Sequence, residues 1–199
     1  MSGHTPSTSI SGIILTGFMG AGKTAAGALL AQRLGWRFVD SDHLVETRAA
    51  MTVAEIFERQ GEAAFRELEA EAIRETILGE HVVLALGGGA LERPATREFL
   101  ASLATWRLVF LEAPLETLID RCSGQSNAPV RPVLRDREAL AERWTARLPW
   151  YRQAHWTVAT GGRTLEEVVA CILDSLNGEI ANGPAHEPLC TAGSGEKRA

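Results

Sequence analysis

The chain has 199 residues, of which 45% are hydrophobic and 23% charged, and its formal net charge is −5. That is the size and balance of one soluble globular domain, with no basic field for nucleic acid and no apolar stretch long enough to span a bilayer. Residues 1–9 lack the charged and apolar regions of a secretory signal, and Cys122, Cys171 and Cys190 are too scattered for a disulfide framework or a zinc site, so a reducing cytoplasm is the expected setting.

Residues 1–9 are small and polar and are expected to be a flexible N-terminus, ahead of a single domain over 10–177. The first strand is predicted at Ile13-Ile14-Leu15-Thr16, apolar and β-branched. Gly17-Phe18-Met19-Gly20-Ala21-Gly22-Lys23-Thr24 then matches G-x-x-x-x-G-K-[ST], and an alanine- and leucine-rich helix follows over Ala25–Leu34. Strand, glycine-rich turn and helix form the context of a phosphate-binding P-loop. Its inward-turned backbone N–H groups and the helix N-terminus meet a polyphosphate. The expected nucleotide contacts are Gly20, Ala21, Gly22, Lys23, Thr24 and Ala25. Lys23 is expected on the β- and γ-phosphates, with the Thr24 hydroxyl on Mg²⁺.

A second strand, Trp36–Val39, leads into Asp40-Ser41-Asp42. One carboxylate there can serve a hydrated Mg²⁺ and the other can accept a hydroxyl proton; alternatively Asp42 caps a helix beginning near His43. Thr52-x-x-Glu55 is a capping-box pattern that opens the next helix. Further along, Arg66 and Glu69 share a helix face at i, i+3, with Phe57 and Phe65 on the same segment; in isolation the charged pair reads equally as a surface ion pair. The strand Val82–Leu86 ends in Gly87-Gly88-Gly89, three residues that permit close approach of a ligand or form a plain turn.

A fourth strand is predicted at Trp106–Leu111. The Ser/Gly/Gln/Asn-rich stretch after Cys122 reads as a mobile lid, about 122–135, carrying Arg131-Pro132-Val133-Leu134. Arg147-Leu148-Pro149-Trp150-Tyr151 offers an arginine that can fork onto a carboxylate. A fifth strand, Trp156–Ala159, precedes the capping-box pattern Thr164-x-x-Glu167. The last helix runs from Leu165 to Leu176, with Val168, Val169, Ile172, Leu173 and Leu176 on its apolar stripe and a stop at Asn177-Gly178. Residues 178–199 are Gly/Pro/Ala/Ser-rich and are expected to be a disordered tail. Five strands alternating with helices imply an α/β fold, a parallel sheet with helices on both faces and ligands at the carboxyl ends of the strands.

Taken in order, the P-loop, Asp-Ser-Asp, Phe-Arg-x-x-Glu, Gly-Gly-Gly, Arg-Pro-Val-Leu and Arg-x-Pro-x-Tyr resemble shikimate kinase, over about Ile13 to Leu176. The resemblance implies a P-loop kinase of the nucleoside-monophosphate-kinase type, with a five-stranded parallel sheet and a mobile lid. It implies ATP as phosphoryl donor, Mg²⁺, and transfer to the 3-hydroxyl of shikimate on the route to chorismate. Carried across by position, Asp42 would hold the substrate hydroxyls and accept the proton. Arg66 and Arg147 would clamp the carboxylate, and Glu69, Gly87, Gly88 and Gly89 would line the pocket with Phe57 and Phe65 as its apolar wall. Asp40 would act on Mg²⁺ beside Thr24, Arg131 would reach the ATP phosphates, and Arg121 would pack on adenine. The lid departs from the family pattern: Cys122–Val130 is longer and uncharged, and Val133 stands where leucine is usual. A monomer is expected, acting on a small molecule. The rival readings are a related sugar-acid kinase, with gluconate as acceptor, and a catalytically silent nucleotide-binding relative.

Overall fold

The protein, seen in a computed structural model, is described here over residues 10–123 and 136–182. Its strands are β1 (Gly12–Thr16), β2 (Arg37–Asp40), β3 (Val82–Ala85), β4 (Trp106–Glu112) and β5 (Trp156–Ala159). The helices are α1 (Lys23–Leu34), α2 (Ser41–Ala49), α3 (Val53–Ile77), α4 (Pro94–Ala101), α5 (Leu115–Ser123), α6 (Arg137–Tyr151) and α7 (Leu165–Asn182), with a 3₁₀ turn at Ala90–Glu92. All strand pairings are parallel, in the order β2-β3-β1-β4-β5. Every residue of β1 and β3 is buried, so both faces of the sheet are covered, as near-continuous Ile/Leu/Val runs in a parallel sheet require.

This order creates the crevice. From β1 the chain crosses to β2 on one side, whereas from β3 it crosses past β1 to β4 on the other. The connections after β1 and β3 diverge, which is the topological switch point where ligands of open α/β sheets bind. Register sets the height: Asp40 pairs with Ala85, and Ala85 with Leu15. The ends of β2, β3 and β1 therefore lie level, and the residues that follow them share one rim.

Local sequence explains the elements around that rim. Thr52 and Glu55 form the anticipated reciprocal cap on α3. Thr164 and Glu167 do the same ahead of α7, with the Thr164 N–H donating to Glu167 at 2.7 Å and the Glu167 N–H to Thr164 Oγ1 at 3.2 Å. Helix α3 breaks at Gly61, where φ 82 and ψ 168 are accessible only to glycine. Eight residues of straight helix would separate Phe57 from Phe65 by about 12 Å; across the break their ring centroids are 5.0 Å apart.

Two sequence expectations are corrected. The helix after β2 begins at Ser41, and its cap is Asp40, whose Oδ1 accepts from the N–H groups of Asp42 and His43. Asp42 thus stands inside the first turn of α2, not at its cap. Likewise α7 does not stop at Asn177-Gly178 but continues to Asn182. Its extra turn carries Glu179, which pairs with buried Arg107 of β4. Leaving that arginine unpaired in the core would cost more than one helical glycine does.

Candidate active site

The loop after β1 wraps the start of α1. Lys23 folds back over it, its Nζ donating to Gly17 O at 2.8 Å and Phe18 O at 3.0 Å, so the ammonium is held within the loop's own concavity. Gly22 caps α1 in the left-handed region, at φ 89. The Thr24 hydroxyl donates to Asp40 Oδ2 at 2.7 Å, which joins the first turn of α1 to the end of β2. The two residues expected beside Mg²⁺ are therefore in contact, although they lie sixteen positions apart.

Opposite this loop stands a cluster of buried charge. Asp42 comes from α2, Arg66 and Glu69 from α3, and Arg147 from α6. Arg66 Nη1 bridges to Glu69 at 2.8 Å, with Glu69 only 2% exposed, so this is no surface ion pair. Burial raises the Glu69 carboxyl to about 7, against the pull of Arg66. Burial also raises Asp42, with the Asp40 charge adding to the effect and Lys23 and Arg66 opposing it. Asp42 Oδ1 and Glu69 Oε1 are buried and have no protein hydrogen-bond partner. Both approach Gly87, where a Cβ would collide with them; a Cβ on Gly89 would collide with the Arg66 guanidinium. The three glycines leave room for the cluster.

The two halves meet at Gly88. A Cβ built there would lie 3.7 Å from Arg147 Nη1, Gly17 O and Met19 N. The Ser41 hydroxyl accepts from the Gly87 N–H at 2.8 Å, and the Tyr151 hydroxyl donates to Gly88 O at 2.5 Å. Burial pushes Tyr151 up to about 12, so it stays a neutral donor. Arg147 lies across Phe18, its Cζ 5.6 Å from the ring centroid. Phe65 carries Arg66 in the same way at 5.2 Å.

The sequence-predicted residues Lys23, Thr24, Asp40, Asp42, Arg66, Glu69, Gly87–Gly89, Phe65 and Arg147 thus converge on one crevice, whereas Phe57 is exposed and touches it only through the Phe65 ring. Arg121, near the end of α5, is held just past the carboxyl end of β5 by hydrogen bonds to Thr160 Oγ1 at 3.0 Å and Thr160 O at 2.6 Å. Arg131 and most of the expected lid lie outside the described residues. Sequence reasoning missed Glu92, which pairs with Arg147 at 2.6 Å. It also gave no role to Ser41 or Tyr151, although each sits inside a cluster already singled out.

A family model for shikimate kinase matches residues 19–177. A shikimate kinase of Symbiobacterium thermophilum is 45% identical over 168 residues, which are 82% of this chain and 95% of that protein. One of Geobacter sulfurreducens is 44% identical over 157 residues, 79% of this chain and 86% of that protein. Among solved structures, the shikimate kinase from Acinetobacter baumannii in complex with shikimate superposes with a TM-score of 0.79 at 35% identity, covering 87% of this chain and 98% of that one. A gluconokinase from Sinorhizobium meliloti superposes with a TM-score of 0.56 at 18% identity, a likeness of fold alone.

Proposed function

The chain belongs to the shikimate kinase family, and from that premise we propose how its residues divide the work of ATP-dependent phosphorylation. The acceptor is the 3-hydroxyl of shikimate. Its oxygen attacks the γ-phosphorus in line, the bond to the β-phosphate oxygen breaks, ADP leaves, and the hydroxyl proton passes to Asp42. A carboxylate raised by burial is a better proton acceptor than an ordinary aspartate, which supports this role. Arg66 and Arg147 take the ring carboxylate, and Glu69 accepts from a second hydroxyl. The carrying observation is the pair of partnerless buried oxygens, Asp42 Oδ1 and Glu69 Oε1, beside two arginines and against the P-loop.

On the donor side, backbone N–H groups of Gly20–Ala25 and the Lys23 ammonium meet the phosphates. Thr24 and Asp40 present a hydroxyl and a carboxylate side by side, the hard oxygen donors that suit Mg²⁺. When bound, Mg²⁺ would neutralise charge on the β- and γ-phosphates. Arg121, fixed along its edge by Thr160, offers its planar face to adenine. Arg131 is proposed to add positive charge over the phosphates. One chain carries both halves of the site, so each copy can work alone, and we propose a monomer working in the cytoplasm.

The test is ADP release with shikimate or gluconate as acceptor, followed by NMR of the product. Shikimate should stimulate release and yield the 3-phosphate. Stimulation by gluconate alone would refute this assignment of the pocket.

A further inference from the structure

Glu92 closes the 3₁₀ turn after the three glycines and lies outside the roles assigned to the acceptor pocket and the P-loop. Its Oε1 accepts from Arg147 Nε at 2.6 Å, while its Oε2 lies 3.8 Å from Arg66 Nη2. A single carboxylate thus spans the two arginines assigned to the acceptor's carboxylate. The backbone beneath it is tied down: Arg97 Nη1 donates to Leu91 O at 2.6 Å and to Glu92 O at 2.9 Å. Arg97 in turn sits over the Trp150 ring, 5.0 Å from its centroid, next to Tyr151, which holds Gly88. The segment that bears Glu92 and the turn of α6 that bears Arg147 are therefore fastened together at three places.

A guanidinium has an Nε edge and an Nη edge, and Glu92 takes the first. With the group over the Phe18 ring and Glu92 on Nε, Nη1 lies beside Gly88. An unrestrained arginine would lose much rotamer freedom on gripping a ligand; one already fixed loses less.

We propose that Glu92 is a positioning residue: by accepting the Nε–H it aims the Nη edge of Arg147 at the acceptor's carboxylate, and so sets affinity for that substrate. The inference rests on Arg147 being the carboxylate ligand. The experiment is steady-state kinetics on Glu92→Ala, Glu92→Gln, Arg147→Ala and the Glu92→Ala/Arg147→Ala double variant, with thermal unfolding of each as a fold control. Loss of one charge-assisted hydrogen bond should raise the shikimate KM of Glu92→Ala about tenfold, with kcat and the ATP KM little changed. Glu92→Gln, which keeps an acceptor for Nε, should recover most of the loss. The double variant should be no worse than Arg147→Ala, because Glu92 acts through that arginine. An unchanged or lowered KM in Glu92→Ala, a Glu92→Gln as poor as alanine, or additive losses in the double variant would each overturn the inference. An unchanged KM in Arg147→Ala would overturn the assignment of Arg147, and the inference with it.

Discussion

Gly22 in one glycine-rich loop and Gly87 and Gly89 in the loop facing it across the crevice are glycine for opposite reasons. Gly22 has φ 89, and a Cβ there would meet nothing within 4 Å; it is required by the backbone alone. Gly87 and Gly89 have ordinary φ signs, but a Cβ on either would collide with Asp42 and Glu69 or with Arg66. The P-loop of the donor half is thus largely a backbone device, one contiguous segment whose N–H groups are proposed to meet the phosphates. The acceptor half is a side-chain device, gathered from three helices around a loop that contributes room. Backbone devices leave a compact motif in sequence, whereas side-chain devices leave fragments.

The largest effect that can break this division is at Asp42. If the acceptor half supplies the proton acceptor, Asp42→Asn should lower kcat by about 10²–10⁴, the usual range for removing a general base. Nucleotide affinity, measured by titration with a fluorescent ATP analogue, should hold, because the donor half is untouched. An unchanged kcat would take Asp42 out of the chemistry.

A paired comparison sharpens the contrast itself. Gly89→Ala should raise the shikimate KM about tenfold or more, since the new methyl group and the Arg66 guanidinium cannot share the space, while the ATP KM stays put. Gly22→Ala should do the reverse. Its methyl group has room, but the left-handed backbone costs about 1–2 kcal/mol, so stability falls and the ATP KM rises. If Gly22→Ala affected shikimate and Gly89→Ala affected ATP, the division would be wrong.

The same division explains what was legible in the sequence. The five strands and the P-loop could be read directly, because periodicity and a contiguous motif encode them. Asp42, Arg66, Glu69 and Arg147 could not be assembled from spacing: taken singly, Arg66–Glu69 reads as a surface pair, and only burial at 2% exposure separates it from one. Resemblance to a family supplied the grouping that local physics left open. Glu92 escaped both routes, since Leu-Glu-Arg-Pro after the glycines has no periodicity or motif, and its partner lies 55 residues away. The end of α7 was misplaced because Asn177-Gly178 is a sound local stop signal, and the contact that overrides it, Glu179 with Arg107, spans 72 residues.

A last expected effect concerns the buried acid that the donor half has no counterpart for. Glu69 is raised from 4.5 to about 7 by burial, with Arg66 opposing. Between those values the unfolded chain gives up this proton and the folded protein keeps it, so stability contributed at this site falls as pH rises and the full penalty stands above about 7. Glu69→Gln cannot ionise. Its Tm relative to the parent should therefore climb from pH 4 to pH 8, by about 3–5 °C for each pH unit across the window at most. Loss of the Arg66 pairing shifts the variant's whole curve but does not set the sign of this trend. The opposite trend, with the parent gaining on the variant as pH rises, would mean that Arg66 outweighs burial and holds Glu69 ionised throughout. The acceptor pocket would then present a charge where this structure places a group that titrates near neutrality.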